Sequence, residues 1–408
     1  MLILLIAVAA LGTFALIREA PPKGPLTEEE RRFLEHHWQT PVAPQGEAPV
    51  SYSPLEASLL PESCGSCHPD QYRDWRTALH SKAMGPGVLG QTLLMEKEEP
   101  ATARLCWSCH APLSEQQPLL RTVDGERAEW VENPVFDPRL QRYGVTCAAC
   151  HVREHRRFGP PRRSSPQVTG RVEEGLPHGG FIAESAFGKS AFCKGCHQFG
   201  PDGYALNGKP LENTYREWLE SGYAKEGIHC QDCHMPDRRH LWRGIHDPEM
   251  TRKGVTIRVE RVAAPAAGSL EVVVTVANTG TGHHFPTYLT PRVVILARQL
   301  DGEGAVIAET EQQAVIGREV TLDLSEERFD TRIPAGERFV FRYAGARASA
   351  ARTLEVQLRV EPDYFYERFF RARLKRGVSG ESGELLRQAW ENARNSPYLL
   401  YERRIPLN

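Results

Sequence analysis

The positive and negative charges of the sequence nearly cancel, and no Lys/Arg block is long enough to act as a basic arm. Its 408 residues carry 50 Lys and Arg against 52 Asp and Glu, which gives a formal charge of −2. Without a basic patch or arm, a nucleic-acid-binding protein is not expected. A chain of this length has room for two or three domains with a hydrophobic core, and its composition, 40% apolar and 25% charged, is ordinary for such domains.

Long apolar runs are also missing, apart from one at the start. Residues 1–17 read MLILLIAVAALGTFALI and are followed by Arg18. The run is short for a membrane span of about 20 residues. It also lacks the positive start and the small-residue cleavage site of a signal peptide. We predict an N-terminal membrane anchor, with a cleaved signal segment as the alternative; both place the remaining chain in the periplasm or another extracytoplasmic space.

No cysteine is left outside one repeated pattern, C-x-x-C-H. The five motifs are Cys64, Cys67 and His68; Cys106, Cys109 and His110; Cys147, Cys150 and His151; Cys193, Cys196 and His197; and Cys230, Cys233 and His234. A zinc site would take two C-x-x-C units per metal, so five units would leave one unpaired. A thiol-disulfide pair has no need of the histidine. In c-type haem attachment, by contrast, the two thiols bind the haem and the histidine ligates the iron. We therefore predict five covalent haem c groups.

Ten further histidines are available as second axial ligands. A second histidine gives a low-spin iron suited to electron transfer, whereas an open position admits a substrate. Besides the five motif histidines, the predicted metal ligands are His80, His240, His246, His283, His155 and His178. His80 is favoured because the local helix expected in DWRTALHSKAM can place it. For each candidate, a histidine that is only solvated or hydrogen-bonded is the alternative.

The pattern of apolar and polar residues changes after the last motif. Short strand-like segments occur at 270–280, 292–300, 305–310, 338–345 and 353–362. In the last of these, apolar and polar residues alternate, as in a strand with one buried face. About a hundred residues of this kind without cysteine predict an immunoglobulin-like β-sandwich. Leu385, Leu386, Ala389, Trp390 and Ala393 predict a helix beyond it.

The predicted fold class is mixed: a haem-dominated, mainly α and irregular domain, followed by an all-β sandwich. The short haem-binding helices carry too few apolar residues to fold alone, so the haems are expected to supply much of their core. The predicted segments are an anchor or signal segment (1–20), a Pro-rich tether (21–60), a pentahaem domain (61–250), the β-sandwich (251–365), and a C-terminal helix and tail (366–408).

The opening from Cys64 to His80, CxxCH followed by W-x-x-x-x-H, resembles the multihaem cytochromes related to the tetrahaem cytochrome of nitrifying bacteria. FCKGCHQF, the stretch from NTYREW to RGIHD, and GHHFPT together resemble secreted multihaem cytochromes with a C-terminal β domain. This resemblance implies mostly His/His-ligated haems close enough for electron hopping. It supports His80, and more loosely His246 and His283, as distal ligands. It does not extend to His155, where relatives have a Gly-Pro-rich stretch and this chain has HVREH.

These features favour a membrane-tethered electron carrier between a membrane respiratory partner and a periplasmic or extracellular redox partner. A first alternative is a multihaem reductase of nitrite, hydroxylamine or a sulfur oxyanion with one open haem. No motif here ends in Lys, the replacement that marks the catalytic haem of ammonia-forming nitrite reductases. A second alternative is a structural, electron-conducting subunit of a respiratory complex or cytochrome filament. No catalytic residue is predicted.

Overall fold

The computed structural model describes residues 24–124, 127–163, 176–262 and 268–407. The apolar segment predicted at 1–20 lies outside these residues. None of the helices in the described part has the length and apolar character that a membrane span requires. The chain divides into an N-terminal half (24–247), built from short helices, and a β half (248–407).

The N-terminal half is a series of short helices with a few small strands. Its helices are α1 Glu28–His37, α2 Pro54–Ala57, α3 Pro61–Gly65, α4 Pro69–Thr77, α5 Pro86–Glu98, α6 Pro100–His110, α7 Pro138–Arg142, α8 Cys147–His151, α9 Lys194–His197, α10 Thr214–Leu219, α11 Gly222–Lys225 and α12 Cys230–His234. Its strands are β1 Leu119–Asp124, β2 Arg127–Glu132, β3 Val152–Arg153, β4 Arg156–Gly159, β5 Ile182–Ala183, β6 Ala205–Leu206 and β7 Lys209–Pro210. Proline opens α2 to α7, where its fixed φ suits a first helical turn that has no partner for an N–H.

The β half begins with α13 Pro248–Gly254 and contains two antiparallel sheets. Its strands are β8 Val255–Val262, β9 Ser269–Asn278, β10 Arg292–Leu300, β11 Gln312–Val320, β12 Glu327–Asp330, β13 Arg338–Ala346, β14 Thr353–Glu361 and β15 Tyr398–Pro406, and helices α14 Tyr364–Lys375 and α15 Gly380–Arg394 precede β15. One sheet has the order β12-β11-β10-β14-β15, and the other has the order β13-β9-β8.

The two sheets share one apolar core. Alternate residues of β9 and β10, among them Val274 and Ile295, are fully buried, and Leu358 of β14 lies in the same cluster. Four predicted strands are confirmed, and so is the alternation predicted for the last of them. The strand predicted at 305–310 is wrong, because the chain turns at Ala308–Thr310 and enters the sheet only at Gln312. The tail is part of this sheet as well, since β15 pairs with β14.

Helices α14 and α15 connect the two halves. They leave the sheet after β14 and pack on α5 before the chain returns as β15. Gly90 of α5 permits this approach, because a Cβ at this position would lie 3.1 Å from atoms of Leu385 and Leu386. The predicted helix around Leu386 is confirmed, and its apolar face covers α5. We call this contact the α5–α15 clamp.

Within the stretch predicted as a Pro-rich tether (21–60), described residues contact the remainder of the N-terminal half. Thr27 and Glu30 form the predicted capping box of α1. At the end of α1, His37 is buried, and its Nε2 donates to the carbonyl oxygen of Cys150 at 2.9 Å. Val42 joins a small core with Leu113 and Ala148. These contacts fix the stretch against the third motif.

Candidate haem-binding site

Four of the five motifs share one local design, whereas in the first motif α3 ends at Gly65 and His68 precedes α4. In α8 and α12 the whole motif forms one helical turn, and α6 and α9 end on the motif histidine. Residues three and four apart lie on the same face of such a turn. Both cysteine side chains and the histidine of a motif are therefore presented together to one ligand, and all ten thiols are free.

The motifs line one continuous cavity of about 3300 Å³. A pocket for one small molecule measures about 300–1,000 Å³, so this cavity is several times larger than a single site needs. Loops 280–291 and 236–246 form much of the remaining wall. The volume and the cysteine pairs together suit several large covalent cofactors.

Thiols of different motifs lie close to one another across this cavity. Cys64 and Cys147, Cys109 and Cys196, and Cys193 and Cys230 are near enough for one thiol to shift the pKa of the other. Cys150 is close enough to act electrostatically on the thiols of the fourth motif. The third motif therefore neighbours the first and the fourth, while the fourth also neighbours the second and the fifth.

Four motif histidines have their Nδ1 atoms fixed. Nδ1 of His110, His151 and His234 lies 2.7 Å from the main-chain carbonyl oxygen of Ala83, Phe158 and Arg243, respectively. Nδ1 of His197 lies 2.7 Å from the hydroxyl of Tyr288. A bonded Nδ1–H leaves Nε2 as the free nitrogen, which is the usual arrangement of a metal-ligating histidine. The motif histidines thus fit iron ligation.

Three motif histidines face a second histidine at one characteristic distance. The ring centroids are 6.3 Å apart for His80 and His197, 6.1 Å for His151 and His240, and 6.3 Å for His234 and His283. Two imidazoles on opposite sides of one metal, each with a bond of about 2 Å, have centroids roughly 6 Å apart. Each pair has room for one iron between its rings.

The electrostatics of these pairs agree with neutral, ligand-ready imidazoles. Burial, together with the neighbouring imidazoles, lowers the pKa of His80 to about 3 and those of His151 and His197 to about 4. A neutral imidazole has a free nitrogen for a metal. Nδ1 of His240 and His283 is bonded to a main-chain carbonyl oxygen, so Nε2 is again the available atom.

His178 lies near the first motif. Its Nδ1 is 2.8 Å from the carbonyl oxygen of Gly180. Its backbone is held by Glu56, which accepts from its N–H, and by Tyr52, which donates to its carbonyl oxygen. Burial lowers the pKa of His68, and the nearby imidazole of His178 lowers it further. The structure therefore brings His178 and His68 to the same end of the cavity.

Two other predicted ligands have different contacts. Nε2 of His155 lies 3.1 Å from the carbonyl oxygen of Gly46, and its side chain is buried outside the cavity wall. Nε2 of His246 lies 3.0 Å from Oδ1 of Asp363. These contacts engage Nε2 of both histidines, while Nδ1 of His155 is buried without a hydrogen-bond partner. Ligation of iron by His155 or His246 therefore stays a prediction.

His110 differs from the other motif histidines. Among the described residues, no second histidine ring lies about 6 Å from the ring of His110, which is the spacing of the three pairs. Acidic groups lie around its motif instead. Burial raises the pKa of Glu212, near Cys109, to about 8, and that of Tyr366, near Cys106, to about 12. At neutral pH both groups therefore hold a proton beside the second motif.

Comparison with known proteins supports these observations. Residues 63–152 match the family model "Cytochrome c554 and c-prime". A penta-heme cytochrome c552 from Thermochromatium tepidum is similar in structure, with a TM-score of 0.59 and 18% identity over 87% of this chain and 100% of that one. Residues 63–152 are thus similar to this cytochrome family, and the chain has the fold of a penta-haem cytochrome c.

Two further comparisons give no additional support for the fold. The putative ApaA protein from Bordetella pertussis is 17% identical over 26% of this chain and 74% of that one. Its TM-score is 0.14, too low to support an argument. No curated protein matches the chain.

The sequence did not predict which groups orient the motif histidines. The carbonyl groups of Ala83, Phe158 and Arg243 carry no residue-specific signal. Tyr288 was overlooked, although it follows the GHHFPT loop that was singled out for His283. Its position one residue beyond that loop was the available clue.

Proposed function

We propose that this chain is a multihaem c-type cytochrome that binds five haems and acts as an electron-transfer protein, with two histidines on each of four irons. The observation that carries the proposal is the spacing of about 6 Å in the pairs His80/His197, His151/His240 and His234/His283. We assign His178 to the first motif as the fourth distal ligand. Bound haem c supplies a one-electron couple, and two histidines suit it to transfer rather than to substrate binding.

The proximity of the motifs supports a route for the electrons. The neighbouring thiols give the order first, third, fourth and fifth motif, with the second beside the fourth. Cys67 and His68 in the first motif and Cys233 in the fifth are exposed. We assign entry and exit to these two motifs, one facing a membrane respiratory partner and the other a periplasmic or extracellular acceptor.

The test is a haem count combined with a spin-state measurement. The denatured mature protein should exceed its polypeptide mass by five haems. Electron paramagnetic resonance of the oxidised protein should give four low-spin irons for each chain. Fewer than five haems, or fewer than four low-spin irons, would contradict the assignment.

A second candidate function rests on His110. We propose that its haem keeps an open position, which favours the reductase alternative for nitrite, hydroxylamine or a sulfur oxyanion. Glu212 and Tyr366 hold protons near this motif, as reduction of an oxyanion requires. Steady oxidation of a reduced dye by nitrite or hydroxylamine, lost in Glu212→Gln, would favour the reductase. A high-spin iron without turnover would favour the electron-carrier function instead.

A further inference from the structure

The indole of Trp242 lies between two of the histidines assigned as distal ligands. Its ring centroid is 4.7 Å from that of His80 and 5.1 Å from that of His240. The ring planes meet at 80° and 89°, and near-perpendicular packing of this kind is favourable between aromatic rings. One side chain therefore contacts the ring that faces His197 of the fourth motif and the ring that faces His151 of the third.

The backbone at Trp242 is strained, and it is held in place by the fifth motif. Its φ is +41°, in the left-handed region that a large side chain rarely adopts. Such a conformation persists only where the surrounding contacts fix it. The N–H of Trp242 donates to the carbonyl oxygen of His234 at 3.0 Å. The carbonyl oxygen of Arg243 lies 2.7 Å from Nδ1 of the same histidine. These two bonds fix the segment that carries the indole.

Of the two distal rings, His80 depends more on this packing. Nδ1 of His240 lies 2.9 Å from the carbonyl oxygen of Arg238, so a hydrogen bond limits the rotation of that ring. Nδ1 of His80 is buried, and no group in the described part of the chain bonds to it. The rotation of the His80 ring is therefore set by packing, to which the indole of Trp242 contributes.

The rotation of an axial imidazole affects the iron that it ligates. The π orbitals of the ring overlap with d orbitals of the iron, so the energies of these d orbitals change when the ring turns. The g values of an oxidised low-spin haem consequently depend on the angle between its two imidazole planes. This angle is 67° for His80 and His197 and 34° for His151 and His240.

We propose that Trp242 is a positioning residue that sets the ring orientation of both His80 and His240, and thereby the electronic structure of the third and fourth haems together. One side chain then acts on two haems whose motifs are neighbours. The inference rests on the proposed function in one respect, the assignment of His80 and His240 as distal iron ligands.

The experiment compares Trp242→Leu, Trp242→Phe and the control Trp390→Leu in the haem-loaded protein. Trp390 is also half-buried, but its Nε1 donates to Glu367 in the β half. Electron paramagnetic resonance of the oxidised proteins gives the g values. The signals of the fourth and third haems are identified by their loss in His80→Ala and His240→Ala.

In Trp242→Leu we expect the g values of the fourth haem to shift most, those of the third haem to shift less, and the other low-spin signals to stay unchanged. Trp242→Phe keeps an aromatic ring, so the same two signals should shift by a smaller amount. Trp390→Leu should leave all signals in place. If Trp242→Leu fails to retain its haems, the two shifts in Trp242→Phe decide the question.

Unchanged spectra in the Trp242 variants, a shift confined to one haem, or equal shifts of all low-spin signals would overturn the shared role of Trp242. Failure of the proposed function would appear elsewhere. The unmodified protein would then lack haems or low-spin signals, or His80→Ala and His240→Ala would each leave every low-spin signal in place.

Discussion

The two halves of the molecule hold their structure by different means. In the β half, one cluster of buried residues joins both sheets, with Val274, Ile295 and Leu358 fully buried. In the described part of the N-terminal half the apolar clusters are small and separate, such as the one around Trp107 and Met84. Its larger feature is the cavity lined by the five motifs. A folded chain needs buried apolar surface to offset its conformational entropy, so the haems must supply it in this half.

The largest expected difference between the two halves is in their folding when haem is withheld. In the full chain produced without haem attachment, we expect the N-terminal half to stay unfolded, because its clusters are too small. The β half should remain folded. Limited proteolysis followed by mass spectrometry should then leave a resistant fragment that begins near Pro248. Resistance of the motifs as well would contradict the contrast between the halves.

Substitution in the β core should destabilise that half alone. Leu358→Ala removes a fully buried side chain and should cost roughly 2–5 kcal/mol of unfolding free energy. Val340→Ala, at an exposed strand position, should change it by no more than about 0.5 kcal/mol. Denaturant unfolding followed by far-ultraviolet circular dichroism measures both. Loss of low-spin signals in native Leu358→Ala would mean that the halves are less independent than we infer.

Removal of one distal histidine should affect a single haem. His80→Ala should convert one low-spin iron to high-spin, because the ring opposite His197 is lost. His36→Ala is the control, since this histidine is exposed on α1. Resonance spectra of the oxidised proteins distinguish them. A conversion of more than one signal in His80→Ala would point to a general disturbance of the cavity.

A smaller effect is expected where an ion pair supports a ligand. Oδ2 of Asp74 accepts from Nε of Arg239 at 2.6 Å and from the backbone N–H of His240 at 3.1 Å. These bonds hold the pKa of Asp74 below its usual value, despite its burial. Their stabilisation is present above the unfolded pKa of about 3.9 and is lost as the pH falls through the lower folded value.

Asp74→Asn should therefore loosen His240 at neutral pH, and acid should have the same effect in the unmodified protein. We expect partial high-spin character at the third haem, whose motif histidine is His151. Asp70→Asn, which breaks an exposed pair with Arg73, is the matched control. A pH titration of the spin state compares the three proteins. Identical titration curves would exclude a role of Asp74 in holding His240.

The sequence predicted the features that depend on local spacing. Haem attachment needs two cysteines and a histidine within five residues, so the motifs are visible directly. Strands such as β14 were predictable because their burial alternates. Strand β11 was missed because QQAVIGREV does not alternate regularly, and β15 because it follows two helices.

Pairing between distant residues could not be predicted in the same way. His80 meets His197, and His234 meets His283 from the other half, only because the fold brings them together. His246 has a suitable position in the sequence, but Asp363, from beyond β14, occupies its Nε2. The number of free histidines therefore set an upper limit on the ligands without identifying them.

The α5–α15 clamp bears on the timing of maturation. A chain is synthesised from its N-terminus, so all five motifs exist before α15 and β15 are made. The clamp and strand β15 can form only after these later residues have been made. The order of the chain therefore leaves the five motifs without the clamp until α15 packs on α5.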